Sequence, residues 1–205
     1  MEEYHKIETI FERDMVTNKL IDKKFRRPEF EYLADLIWIG TEKVDGTNIR
    51  IMWNGTDIKI GGKTDNAQIH KELVQKLEEL FYTKKEVFIE KFGEKQVCLY
   101  GEGYGAGIQT GGIYKATKDF VLFDVLIDGY WLDRGNVQGI ADMFGVDIVP
   151  IVKEGTLYEL VDMVKSGFKS KWGDFVAEGI VARPTVELTN KFGERIITKI
   201  KYRDF

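Results

Sequence analysis

The sequence predicts an α+β fold, mainly antiparallel sheets with flanking helices. Strand-type runs recur along the chain, two of them joined as hairpins, while three segments carry apolar stripes at helical spacing. Residues 37–44 read as the first clear strand. Ile49 to Trp53, Asn54-Gly55 and Thr56 to Ile60 read as a hairpin, because Asn-Gly suits a type I′ turn. A helix follows over 69–81, where Leu73, Leu77, Leu80 and Phe81 share a face. Residues 86–90 and 97–102 read as strands. Phe120 to Ile127, Asp128-Gly129 and Tyr130 to Leu132 read as a second hairpin. Asn136 is placed to cap a helix that runs to Phe144 and is ended by Gly145. After a strand over 148–152, Thr156 and Glu159 form a capping-box pattern for a helix closed by Gly167. Residues 177–183 and 195–202 complete the strands. No linker, repeat or low-complexity tract marks a domain boundary.

Composition bounds the function. The chain has 205 residues, 43% hydrophobic and 31% charged, enough for a substantial core in a soluble globular protein. No apolar run spans a membrane, and Met1-Glu2-Glu3 does not begin a signal peptide. The single cysteine, Cys98, excludes an internal disulfide and leads us to expect a cytoplasmic protein; between Val97 and Leu99 it reads as a core residue. His5, His70 and Cys98 are too few for a usual structural zinc site. The net charge of −4 argues against binding nucleic acid with the whole surface. The densest basic run, Lys23-Lys24-Phe25-Arg26-Arg27, reads either as a solvated loop or as a phosphate grip.

Chemistry concentrates in four segments. Lys43-Val44-Asp45-Gly46-Thr47-Asn48 follows an apolar strand, and Gly46 permits a turn there. A lysine amine attacks only when unprotonated, a state favoured by burial and by nearby cations such as those of Lys199 and Lys201. Those two alternate with Ile200, so both project to one face of a strand, and an anion such as phosphate relieves their repulsion. Glu178 is out of keeping with its small and apolar neighbours, which suits orienting Lys43 or holding a divalent cation. Glu102, at a strand end before Gly103-Tyr104-Gly105-Ala106-Gly107, suits ribose hydroxyls. Gly62-Lys63-Thr64 resembles the end of a phosphate-binding P-loop, but Asp57 stands where that motif needs its first glycine. Phe123 reads as a core aromatic or as a platform for a purine. Each segment alone also has an ordinary reading: a charged hairpin tip, an edge-protecting lysine pair, a carboxylate facing water.

Taken in order, the segments resemble the ATP-dependent RNA ligases among the covalent nucleotidyltransferases. Glu42 through Asn48 resembles their motif I, Leu99 through Gln109 motif III, and Phe123-Asp124 motif IIIa. Ala177 through Pro184 resembles motif IV and Lys199-Ile200-Lys201 motif V. The resemblance implies an ATP-grasp-like ligase fold and three steps: Lys43 takes AMP from ATP, passes it to a 5′-phosphate, and a 3′-hydroxyl then seals the strand. It implies Mg2+ or Mn2+ assistance at Glu178, ribose binding by Glu102 and adenine stacking on Phe123. Glu42 is placed near the adenine edge, and Lys199 and Lys201 on the α-phosphate. Lys63 stands where the family usually has arginine, and it keeps the charge but loses the fork geometry. DNA ligases and capping enzymes usually carry arginine where this chain has Asn48, which favours RNA. The expected partners are RNA ends aligned on a complementary strand, with DNA-containing nicks also in view and no membrane. A small ATP-dependent DNA ligase and a non-catalytic nucleotide- or RNA-binding module are the alternatives. With Phe205 close behind Lys201, the expectation is a single adenylyltransferase domain over 1–205 without an OB-fold.

Overall fold

The computed structural model describes residues 3–205. In chain order it runs β1 (Glu8–Thr9), β2 (Phe11–Arg13), β3 (Leu20–Phe25), α1 (Pro28–Tyr32), β4 (Trp38–Glu42), β5 (Thr47–Trp53) and β6 (Ile58–Gly61). Then come α2 (Lys71–Phe81), α3 (Lys85–Phe92), β7 (Val97–Tyr104), β8 (Asp119–Ile127), β9 (Tyr130–Trp131), α4 (Arg134–Phe144) and β10 (Asp147–Ile148). The chain closes with β11 (Ile151–Gly155), α5 (Leu157–Ser166), β12 (Gly179–Pro184) and β13 (Thr198–Lys201). These elements form two compact units. Residues 3–5 join Asp45–Val149 in the first; Lys6–Val44 joins Pro150–Phe205 in the second.

The first unit is built on a sheet ordered β10-β8-β7-β5-β6, with β9 paired to β8. Alternation sends Ile49, Ile51 and Trp53 of β5 and Leu99 of β7 into one core, which is completed by Leu73, Leu77 and Phe81 of α2 and Phe88 of α3. The opposite residues, Met52, Cys98 and Tyr100, pack with Tyr4, Phe123 and Trp131. Burial pushes the Cys98 thiol up to about 11, which removes it from nucleophilic chemistry near neutral pH.

Between β7 and β8 the register slips. Tyr100 faces Asp124 but Gly101 faces Leu122, so Phe123 is the extra residue of a β-bulge. Gly101 makes the bulge fit: a Cβ there would lie 2.2 Å from the Phe120 ring and 2.4 Å from the Val121 carbonyl oxygen.

The second unit has a sheet ordered β1-β13-β12-β4-β11 and a small β2–β3 pair. Trp38, Ile180, Ala182 and Ile200 enter its core with Phe30 of α1 and Leu157, Leu160, Val161 and Val164 of α5. The α5 capping box forms as expected between Thr156 and Glu159.

The mainly antiparallel α+β expectation therefore holds, and some elements differ. Residues 86–90 are helix within α3, because Phe88 and Phe92, four apart, enter the core together. The expected 148–152 strand is two strands, β10 and β11, split at Pro150, which lacks a ladder donor. The cap of α4 is Asp133, whose carboxylate accepts from the Asn136 N–H; Gly145 ends the helix in the left-handed region. The first hairpin closes with four loop residues, Trp53 facing Ile58, because Asn54 Oδ1 accepts from the N–H groups of Thr56 and Asp57. The second closes at Asp128 (φ 48°) and Gly129 (φ 84°), with Ile127 facing Tyr130, as a type I′ turn requires. In the basic run, Lys24 pairs with Glu12, Arg26 with Glu8, and Arg27 with Glu29 and Glu194, while Phe25 packs on Phe11. No helix among the described residues is long and apolar enough to cross a membrane.

Since Gly101 leaves no room for a methyl group, Gly101→Ala should destabilise the protein by about 1–3 kcal/mol, the usual range for overpacking. Chemical denaturation measures this; an unchanged midpoint would contradict the packing described.

Candidate active site

Lys43 follows β4 directly, and its N–H donates to the Gly179 carbonyl at 2.9 Å. Its backbone is thereby fixed beside β12. Strict alternation would send Glu178 to the same side as Ile180 and Ala182, into the core. Gly179 has φ 152°, and a Cβ there would meet the Ile200 carbonyl oxygen at 2.1 Å, so only glycine fits. That break in the alternation turns Glu178 to the lysines. Lys43 Nζ lies 2.8 Å from Glu178 Oε2, and Lys201 Nζ lies 2.6 Å from Oε1. The Glu178 and Lys201 side chains are 10% and 14% exposed, so solvent screens this contact far less than an open surface pair.

Lys199 sits two residues before Lys201 on β13, on the same face as the alternation predicts. Burial, then the Lys201 and Lys43 ammonium charges, hold its pKa below the usual lysine range. Asp204 offsets this in part, but that carboxylate is itself bound to Arg13 at 2.7 Å. Two lysines thus share one carboxylate, Glu178, with the Lys199 ammonium close enough to feel both, an arrangement that favours an anionic guest.

Glu42 is buried and committed elsewhere in the second unit. Its Oε1 accepts from the Ser170 hydroxyl at 2.5 Å and its Oε2 from the Lys171 N–H at 2.8 Å. Burial pushes its carboxyl up, against the pull of those hydrogen bonds. Ser170 and Lys171 carry no motif, so sequence reasoning passed over them.

The first unit holds the remaining candidates. Asn48 and Glu102 stand directly opposite each other on β5 and β7. Asn48 Oδ1 is buried and has no hydrogen-bond partner. Phe123 projects from the β8 bulge, partly exposed. Lys63 is exposed, on a turn pinned by the fully buried Arg50: Nε donates to the Gly62 carbonyl and Nη2 to Asp65 Oδ1, both at 2.8 Å. Asp45 also belongs to this unit, and its carboxylate accepts from the Thr110 hydroxyl at 2.6 Å. A Cβ on Gly46 would meet the Gly103 carbonyl oxygen at 2.3 Å, so the glycine of the lysine motif serves close passage over β7. Arg50 and Thr110 were not singled out by the sequence, although each anchors a segment that was.

No group of three or more histidine, cysteine, aspartate or glutamate side chains able to hold a metal occurs among the described residues.

The two sheets with their flanking helices define a ligase-type nucleotidyltransferase fold. The RNA ligase family profile matches residues 36–201, and the chain belongs to the RNA ligase family. Among solved structures, a lysine-to-alanine variant of the Naegleria gruberi RNA ligase with ATP and Mn superposes with TM-score 0.69 at 17% identity. The match covers 97% of this chain and 60% of that one. A lysine-to-methionine variant of the same ligase with AMP and Mn gives 0.68 at 17% identity, over 98% and 58%. The same ligase with PPi gives 0.68 at 18%, over 97% and 59%. The chain thus spans about three-fifths of the length of these structures. No curated protein matches the sequence.

A lysine whose pKa is lowered on folding binds fewer protons in the native state than in the unfolded chain. Stability then rises with pH from the lowered native value to about 10.4, the unfolded one, and the charged site is costly below that window. Lys199→Met should therefore be more stable than the parent in neutral solution, and the gain should fade as pH approaches about 10.4. Denaturation across a pH series reads this; a variant less stable than the parent at neutral pH would contradict it.

Proposed function

We propose that this chain carries the adenylyltransferase chemistry of an ATP-dependent RNA ligase, with Lys43 as the nucleophile. The observation that carries the reading is the Glu178 carboxylate divided between Lys43 and Lys201, with Lys199 beside them. Lys43 Nζ attacks the α-phosphorus of ATP. An N–P bond forms, the bond to the bridging oxygen breaks, and pyrophosphate leaves. Glu178 Oε2, already at hydrogen-bond distance, is the acceptor for the proton that Nζ must lose. Lys199 and Lys201 counter the negative charge that develops on the α-phosphate oxygens. A bound divalent cation would neutralise triphosphate charge, with Glu178 as its protein contact.

The family resemblance gives the remaining roles. Glu102 binds the ribose, Phe123 stacks on adenine, Asn48 offers its buried Oδ1 to a donor on the ligand, and Lys63 contacts phosphate. Glu42, held by Ser170 and Lys171, lies near the adenine edge. A 5′-phosphate oxygen of an RNA end then attacks the lysyl-AMP phosphorus and releases the lysine. Finally a 3′-hydroxyl attacks the activated 5′-phosphate, and AMP departs. Ends aligned on a complementary strand suit this last step, because alignment contributes much of the rate of an in-line displacement.

Intact-mass spectrometry after incubation with ATP and magnesium should show one added AMP. Lys43→Ala should abolish the adduct. Lys199→Ala and Lys201→Ala should each slow its formation by roughly 10²–10³-fold, the usual loss of one electrostatic donor. An adduct in Lys43→Ala, or parent-like rates in both other variants, would overturn the reading.

A further inference from the structure

Phe123 is the residue of the β8 bulge that has no register partner on β7, and its ring packs beside Tyr4 against Met52, Cys98 and Tyr100. The bulge also breaks alternation. Leu122 and Val125 both enter the core, whereas Phe123 and Asp124, consecutive in sequence, both turn to Tyr4. The Tyr4 ring meets the Phe123 ring edge-on, with centroids 5.0 Å apart at 72°. Its hydroxyl donates to Asp124 Oδ2 at 2.5 Å, and Asp124 is fully buried. Tyr100 and Trp131 hold the Tyr4 ring from two further directions, at 5.0 and 5.7 Å. One ring is thus fixed by a buried carboxylate and two aromatics, and it bears on the one side chain of β8 that the ladder leaves unset. We propose that Tyr4, anchored on Asp124, is a positioning residue that sets the Phe123 ring for stacking on the nucleotide base. This rests on the reading of Phe123 as the base platform.

The test is equilibrium binding of α,β-methylene-ATP with magnesium to the full chain, a probe that cannot donate AMP, so the result does not depend on ligase chemistry. Phe123→Ala should weaken binding roughly tenfold, within the range of base–aromatic stacking. Tyr4→Ala should weaken it by roughly threefold to tenfold, and Tyr4→Phe, which loses only the anchoring hydroxyl, by roughly twofold to fivefold, since charge-assisted hydrogen bonds are strong. If Tyr4 acts through Phe123, adding Tyr4→Ala or Tyr4→Phe to Phe123→Ala should cause no further loss. Independent, multiplying losses would show that Tyr4 is merely structural and would overturn the proposal. Parent-like binding by both Tyr4 variants, with Phe123→Ala weakened, would overturn it while leaving the base platform standing. Parent-like binding by Phe123→Ala would instead overturn the platform reading itself. Should Tyr4→Ala fail to fold, Tyr4→Phe alone decides between these outcomes.

Discussion

Glu178 has one ammonium group against each of its two oxygens, and the second unit is arranged so that this can happen. Lys43 arrives from β4, Glu178 from the start of β12, and Lys201 from β13, three neighbouring strands of one sheet. The ladder sets their spacing. Ile180 pairs with both Glu42 and Ile200, which brings the ends of all three strands to one level. Gly179 supplies the one departure from alternation that aims the carboxylate. An isolated carboxylate or lysine so little exposed would pay a heavy desolvation cost, and pairing reduces it. Two ammonium groups on one carboxylate leave the cluster positively biased, and the Lys199 pKa is lowered first by burial and then by the Lys201 and Lys43 charges.

The first unit solves a different problem, that of presenting polar and aromatic groups on a sheet whose other face is packed with apolar side chains. Period-two alternation does most of it: Ile49 enters the apolar face while Asn48 and Arg50 take the opposite face, and Leu99 enters the apolar face while Tyr100 takes the opposite one. Where alternation is insufficient, a bulge re-aims Phe123. Buried charges here position other groups. Arg50 fixes the turn that bears Lys63, and Asp124 fixes Tyr4.

Much of this was legible in the sequence because it is local. The apolar spacing of α2, the Thr156–Glu159 box of α5 and the Asp128-Gly129 turn are each set within a few residues, and each formed as expected. The facing of Lys199 and Lys201 followed from alternation alone. Glu178 stood out because its neighbours are apolar. What stayed hidden depends on distant contacts. Val87-Phe88-Ile89 looks β-like, but Phe88 and Phe92 are claimed by a helical packing surface. Asn136 was read as the cap and Asp133 takes that place, because both residue types suit the position and only geometry separates them. The roles of Ser170 beside Glu42 and of Tyr4 beside Phe123 span separations of 128 and about 120 residues, with no motif to announce them.

In the proposed reading Lys43, and not the Lys201 that shares Glu178 with it, carries AMP. The most direct test is peptide mapping of the protein after reaction with ATP and magnesium, under alkaline conditions that preserve a phosphoramidate. The AMP mass is expected on Lys43 alone, joined through nitrogen and therefore lost on mild acid treatment. An adduct on Lys199, Lys201 or an oxygen nucleophile, or one that resists acid, would contradict it.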